Sequence, residues 1–296
     1  MNSQHTSNSN KKTSTLLHDI EHISFLGVGS MASAILEGLL RNTANARFKV
    51  TATTNSARSA QRHSDLPRTE VLSVEQCADA NKRAVTGAQL VVLGVKPWAI
   101  TDLLREIAQD LALGATVVSV AAGITTELMR EALGSRDDVQ ILRAMPNTPA
   151  LIGRGVTGLA AAAASERATA LGVALFECVG EVLVVPEREI DALSAISGSG
   201  PAYLFWFAEQ LTAAAERAGF TADQARVLGE GTVTGAAALL HSSDKSPAEL
   251  RREVTSPGGT TEKALEVFNA ASPEAIFDGV VRAVKNRAAE LAKKTN

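Results

Sequence analysis

A chain of 296 residues has room for one large domain or two ordinary ones. It is 45% hydrophobic and 21% charged, a globular composition, and a net charge of −3 without a basic block argues against nucleic acid and anionic membrane surfaces as partners. No run reaches the roughly 18 apolar residues of a membrane helix. Cys77 and Cys178 lie far apart without a CxxC neighbour, so neither a disulfide framework nor a zinc site is expected, and no other metal site. Such cysteines fit a reducing cytoplasm.

Residues 1–20 are rich in Ser, Asn, Thr and Lys and read as a disordered tail, not a signal peptide. The stretch from Ile23 to Leu40 follows and organises the chain. Ile23 to Leu26 is an apolar run of strand length, Gly27-Val28-Gly29-Ser30-Met31-Ala32 is a glycine-rich turn, and Ala34, Ile35, Leu39 and Leu40 continue as an apolar helix. Strand, glycine turn and helix make the first unit of a dinucleotide-binding domain. Gly27 allows the tight turn, Gly29 leaves room for a pyrophosphate, and Ala32 lets helix and strand pack closely. The first helical turn directs free N–H groups at the phosphates.

Arg47 to Thr54 reads as the second strand. An NAD-selective domain usually ends this strand in Asp or Glu, which binds the ribose 2′-hydroxyl. Here Asn55, Ser56 and Arg58 follow, with no carboxylate until Asp65. An amide, a hydroxyl and a guanidinium suit a 2′-phosphate, so NADPH is the expected cofactor, with NADH still open. Ser59 to Ala88 is polar and partly helical. Gln89 to Val95 is continuously apolar, as a buried parallel strand is, and ends in Val95-Lys96-Pro97. Lys96, at the carboxyl end of that strand, is expected beside the nucleotide crevice. Helix Ile100–Leu111, strand Ala115–Ala121 with Ala122-Gly123, helix Ile124–Leu133 and strand Val139–Ala144 come next. Gly155–Ala162 and Gly180–Val185 then bracket another helix. The alternation makes residues 21–185 an α/β, Rossmann-like doubly wound sheet.

From residue 186 to 296 the pattern is all-helical. Ala202 to Ala218 is apolar nearly all round and is expected to be buried on most faces. Thr221 with Gln224, and Ser246 with Glu249 behind Pro247, are capping boxes for the next two helices. Apolar helices appended to a nucleotide domain suit an intertwined homodimer. Val254-Thr-Ser-Pro-Gly-Gly-Thr-Thr261 then leads into the helix at Glu262–Phe268. Gly258 and Gly259 let the backbone approach a ligand, Thr260 or Thr261 is expected to cap the helix, and Ser256, Thr260 and Thr261 add hydroxyls. This is an anion site of the kind that holds a carboxylate.

Six strings together carry a family resemblance: Gly27–Ala32, Val95–Pro97, Ala121-Ala-Gly123, Arg143-Ala-Met-Pro-Asn-Thr-Pro149, Ser197-Gly-Ser-Gly-Pro-Ala-Tyr203 and Val254–Thr261. In this order the chain resembles the pyrroline-5-carboxylate reductases. The resemblance implies an NAD(P)H-dependent oxidoreductase that reduces 1-pyrroline-5-carboxylate to L-proline, the last step of proline biosynthesis. It implies a cofactor held by the glycine turn and Val95–Pro97, Asn81 near the adenosine, and Ala122 and Gly123 beside the nicotinamide. It implies a substrate carboxylate on Ser256, Gly258, Gly259 and Thr260, with Thr261 catalytic near the ring nitrogen and Glu187 near the substrate. The helical half would form an interleaved dimer, with five dimers in a ring.

The chemistry agrees with what the chain lacks. Four of its five histidines lie in the first quarter, and it has one tyrosine. A protonated C=N accepts hydride without an acid at an alkoxide, so what remains is positioning. Two alternatives stay open. One is a related Rossmann-type oxidoreductase on another imine or a hydroxy acid, although no lysine base occurs from 97 to 244. The other is a non-enzymatic nucleotide-binding scaffold.

Overall fold

A computed structural model describes residues 16–295, with side chains through Glu290. The sheet is built from His22–Leu26 (β1), Lys49–Thr54 (β2), Thr69–Ser73 (β3), Leu90–Leu93 (β4), Thr116–Ser119 (β5), Gln140–Met145 (β6), Gly155–Ala160 (β7) and Gly180–Val184 (β8). The strand order is β3-β2-β1-β4-β5-β6-β7-β8. All neighbours are parallel except β6 with β7, so the chain reverses once, at Met145.

Period-2 alternation places successive strand residues on opposite faces, and each face has its own core. Phe25 and Val92 pack with Ile35, Leu39 and Phe48 on one side. Leu26, Val91 and Leu93 pack with Leu104, Ile107 and Met129 on the other. Helices Ser30–Asn42 (α1) and Glu166–Glu177 (α6) cover the first face. Ala80–Val85 (α3), Ile100–Ile107 (α4) and Thr126–Leu133 (α5) cover the second. Each fully buried Leu, Ile or Phe contributes about 1.5–3 kcal/mol. Cys77 and Cys178 are both free thiols, and burial pushes the Cys178 thiol up to about 12, which leaves it inert.

Several expectations need correction. The tail was expected to run to residue 20, but Leu17 and Ile20 are buried in the first core, because their apolar side chains close its edge. Residues 1–15 of that tail lie outside the described residues. β3 was not expected: a five-residue edge strand carries little alternation and is mostly half-exposed. It follows the short helix Ala57–Gln61 (α2). Grouped by contacts alone, the chain divides after Gly198. The first unit runs through Gly198 and includes the segment from Val284, and the second is Ser199–Ala283.

The second unit holds Gly200–Arg217 (α8), Ala222–Ser242 (α9), Pro247–Glu253 (α10), Thr260–Ala270 (α11) and the start of Pro273–Thr295 (α12); the four-residue Ile190–Leu193 (α7) precedes it. Both capping boxes form as expected, at Thr221 with Gln224 and at Ser246 with Glu249. α8 and α9 cross closely at Gly229, where a Cβ would stand 2.1 Å from Thr212 Oγ1. Phe207 and Phe268 meet with ring centroids 6.4 Å apart. The expectation that α8 is buried on most faces does not hold within one chain. None of its residues is buried, and Leu204, Phe205 and Trp206 are exposed, because a two-helix hairpin covers only one side of a helix that is apolar all round. Among the described residues no helix is long and apolar enough to cross a membrane.

Candidate active site

The glycine turn is built at the carboxyl end of β1. The N–H groups of Gly27 and Val28 donate to Thr53 O at 3.1 and 2.9 Å, and Gly29 N–H donates to Gly27 O at 2.8 Å. Gly27 has φ +79°, and a Cβ there would stand 2.4 Å from Val95 Cγ1 and 3.0 Å from Val95 N. Gly94, which sequence reasoning did not single out, is equally constrained: its Cβ would stand 2.6 Å from Ala32 Cβ and 2.7 Å from Gly27 O. The turn therefore packs directly on the end of β4, with Ala32 buried between.

Gly29 differs. It is the N-cap of α1, with φ −93°, and a Cβ on it would meet nothing within 4 Å. The amides of Ser30, Met31 and Ala32, the first turn of α1, have no intrahelical acceptor. Open space in front of three unbonded N–H groups suits a pyrophosphate.

Two glycines of one motif thus separate in their expected effects. Gly27→Ala should lower stability by about 1–3 kcal/mol through its left-handed backbone and the contact with Val95. Gly29→Ala should leave the thermal midpoint in place and weaken dinucleotide binding, because its methyl would stand in the phosphate path. Thermal unfolding of each variant, with and without dinucleotide, checks both.

The other residues expected at the cofactor follow the carboxyl ends of the parallel strands β2, β4 and β5, except Asn81 in α3. Thr53 Oγ1 donates to Asn81 Oδ1 at 2.9 Å and accepts from Gly27 N–H at 3.2 Å, so one hydroxyl ties the turn to Asn81. Val95 and Pro97 are half-buried beyond β4, and Lys96 between them is exposed. Gly123 has φ +78° and is buried, with Ala122 exposed beside it. Beyond β2, Ser56 caps α2 by accepting from Ser59 N–H at 3.3 Å. The sequence here carries no carboxylate until Asp65, but the fold brings one to the loop from farther on: Glu75 Oε2 accepts from Ala57 N–H at 2.9 Å. It comes from the turn after β3, so sequence proximity hid it. Recognising β3 was the signal that would have found it.

Glu187 is also not a free carboxylate. It accepts from the N–H of Thr126 at 2.8 Å and from its hydroxyl, and lies 3.5 Å from Arg143 Nη1. The Arg143 side chain is 6% exposed on β6, and its Nη2 donates to Asp191 at 2.7 Å. Glu187 therefore binds the start of α5, the helix that follows Gly123, to a buried cation that sequence reasoning had noted only as part of a matching string.

In the second unit, the loop at 256–261 is shaped by its glycines. Gly258 has φ +71°, and its N–H donates to Glu262 Oε2 at 2.8 Å. Gly259 N–H donates to Ser256 O at 2.9 Å, and a Cβ on Gly259 would also meet that oxygen at 2.9 Å. Two expectations change. The N-cap of α11 is Gly259, so neither Thr260 nor Thr261 caps the helix. The Gly259 amide is already used inside the turn. The N–H groups left without an intrahelical acceptor are those of Thr260, Thr261 and Glu262. The Ser256 and Thr260 side chains are exposed and Thr261 is half-buried. Among the described residues no cluster of side chains could hold a metal ion.

Comparison with known proteins matches residues 187–291 to the family described as pyrroline-5-carboxylate reductase dimerisation, and residues 22–123 to the coenzyme F420-dependent NADP oxidoreductases. The pyrroline-5-carboxylate reductase of Pseudomonas aeruginosa is 37% identical over 282 residues, covering 92% of this chain and 97% of its own. Pyrroline-5-carboxylate reductase 2 of Bacillus subtilis is 32% identical over 278 residues, covering 93% of this chain and 96% of its own. Among solved structures, a pyrroline-5-carboxylate reductase from Coxiella burnetii superposes with a TM-score of 0.83 at 35% identity, covering 93% of this chain and 99% of that one. The Plasmodium falciparum pyrroline carboxylate reductase, solved with NADP bound, shares the fold at 23% identity, with a TM-score of 0.76 and coverage of 93% of this chain and 99% of that one.

Proposed function

This chain belongs to the pyrroline-5-carboxylate reductase family, and we propose that it reduces 1-pyrroline-5-carboxylate to L-proline with NADPH preferred over NADH. The observation that carries this reading is the presence of two anion-competent helix starts in one chain. One is α1 behind Gly27–Ala32, and the other is α11 behind Ser256–Gly259. A reduced nicotinamide supplies the hydride when bound. The residues fit such a cofactor, since Gly29 opens onto free space in front of unbonded amides.

On this reading the amides of Ser30 to Ala32 take the pyrophosphate, with Val28 completing the turn. Asn81, held by Thr53, lies along the adenosine. Val95, Lys96 and Pro97 line the cofactor beyond β4, and Ala122 and Gly123 set the backbone beside the nicotinamide. The substrate carboxylate lies on the amides of Thr260 and Thr261 and the Ser256 hydroxyl, with Gly258 and Gly259 shaping the turn. The Thr261 hydroxyl holds the ring nitrogen, which keeps the iminium proton directed and the carbon exposed to hydride. Glu187 acts through the start of α5, the helix that the turn at Gly123 leads into.

Asn55, Ser56 and Arg58 support the preference for NADPH, because an amide, a hydroxyl and a guanidinium complement a 2′-phosphate. The measurement is the Michaelis constant for each cofactor at saturating 1-pyrroline-5-carboxylate. We expect a lower value for NADPH, and a lower value for NADH overturns that assignment. Absence of reduced-nicotinamide oxidation with this substrate, beside turnover of another imine or a hydroxy acid, overturns the substrate assignment.

The exposed apolar residues of α8 and α9 and the match to a dimerisation family support a homodimer, and a ring of five such dimers rests on the family resemblance alone. Burying Leu204, Phe205, Trp206 and Val227 against a second copy removes from water an apolar surface too extensive for a lone soluble chain. A monomer at micromolar concentration in analytical ultracentrifugation rules out the dimer, and a dimer that never grows rules out the ring. The two free thiols and the reduced nicotinamide agree with the cytoplasm as the site of action.

A further inference from the structure

The loop expected to receive a 2′-phosphate already holds an anion. Glu75 follows β3, its N–H donates to Asn55 O at 3.3 Å, and its Oε2 accepts from Ala57 N–H at 2.9 Å. Ala57 lies between Ser56 and Arg58, the residues assigned to that phosphate. The Ser56 hydroxyl is engaged as well, capping α2 and donating to Ser59 Oγ at 3.1 Å. What remains for a phosphate, beside the Asn55 amide, is the guanidinium pair Arg58 and Arg62. With Ala57 and Gln61 these line an open cavity of about 480 Å³.

A carboxylate and a phosphate compete for the same N–H donor, and two anions on one donor repel. An entering 2′-phosphate must therefore displace Glu75 from Ala57 or bind beside its charge. A ribose 2′-hydroxyl meets no such conflict, because it donates to a carboxylate. We propose that Glu75 is a specificity-determining residue for the cofactor, restraining selectivity for NADPH and sustaining use of NADH. The inference rests on the cofactor placement argued above and deepens it: Arg58 and Arg62 attract the phosphate, and Glu75 sets how strongly that attraction discriminates.

The test is calorimetric binding to the full chain, without substrate, of two cofactor fragments. One is 2′,5′-ADP, which carries the 2′-phosphate, and the other is ADP-ribose, which carries the free hydroxyl. Glu75→Gln keeps an acceptor for the Ala57 N–H and removes only the charge. The variant should bind 2′,5′-ADP about fivefold to tenfold more tightly, the range of an exposed like-charge contact, with the gain shrinking as salt rises. ADP-ribose should bind equally or more weakly. Unchanged affinities for both fragments overturn the inference, as does an equal gain for both, which would mean a loosened loop and not a removed charge. Failure of either fragment to bind the wild type is a different result and overturns the cofactor placement itself.

Discussion

Thr261→Ala should lower kcat/KM for 1-pyrroline-5-carboxylate by about 10- to 100-fold, at ~1.4 kcal/mol of transition-state stabilisation per tenfold. The expectation follows from where the residue stands. Thr261 is the second residue of α11, half-buried, and its hydroxyl caps nothing, because the cap position belongs to Gly259. Alanine is the better helix former, so the substitution should not lower stability. A loss of turnover with an unchanged unfolding midpoint therefore reports on the substrate and not on the fold. If the ring nitrogen is held most firmly as hydride arrives, the loss appears in kcat; if it is held equally before, it appears in KM. Thr260→Ala, at the exposed neighbouring position, should have a smaller effect. A Thr261→Ala enzyme with full activity would remove the residue from the mechanism.

Arg143→Met should destabilise the first unit by about 3 kcal/mol, the lower end of the cost of breaking a buried ion pair. Its guanidinium is the buried member, while Glu187 and Asp191 are 22% and 38% exposed, so water partly compensates the carboxylates left behind. Chemical denaturation of the single variant and of Arg143→Met with Glu187→Gln and Asp191→Asn separates the terms. The triple variant should recover part of the loss, since it removes the uncompensated charges along with their partner. The single variant should also weaken the cofactor, because Glu187 would no longer hold Thr126 and the turn at Gly123 in one position. A cost below about 1 kcal/mol would mean the pairs act as surface salt bridges do.

Local signals accounted for much of the molecule. The continuous apolar runs at Ile23, Leu90 and Val117 mark strands buried on both faces, because only a sheet covered by helices tolerates them. Thr221, Ser246 and their partners three residues on marked helix starts, because a capping box closes within one turn. The left-handed backbone at Gly27 and Gly258 follows from the same locality: each is demanded by its own turn.

Errors arose where a residue's role is set by something distant in the chain. Glu75 reaches Ala57 only because β3 lies beside β2 in the sheet, and β3 was too short and too exposed to be recognised. Glu187 meets Arg143 across an interval of 44 residues, because β8 returns the chain to the carboxyl end of β6 by way of β7. The apolar circumference of α8 is visible in composition, yet within one chain none of its residues is buried.

Periodicity and turn chemistry alone established the doubly wound sheet, the glycine turn at Gly27 and the helical second half, since these interactions span a few residues and leave a period in the residue order. The partners of Glu75, Glu187 and Thr53 came from the folded arrangement. Their hydrogen bonds join strands and helices that are neighbours in space only, and strand order in a sheet leaves no local trace in the residues it brings together.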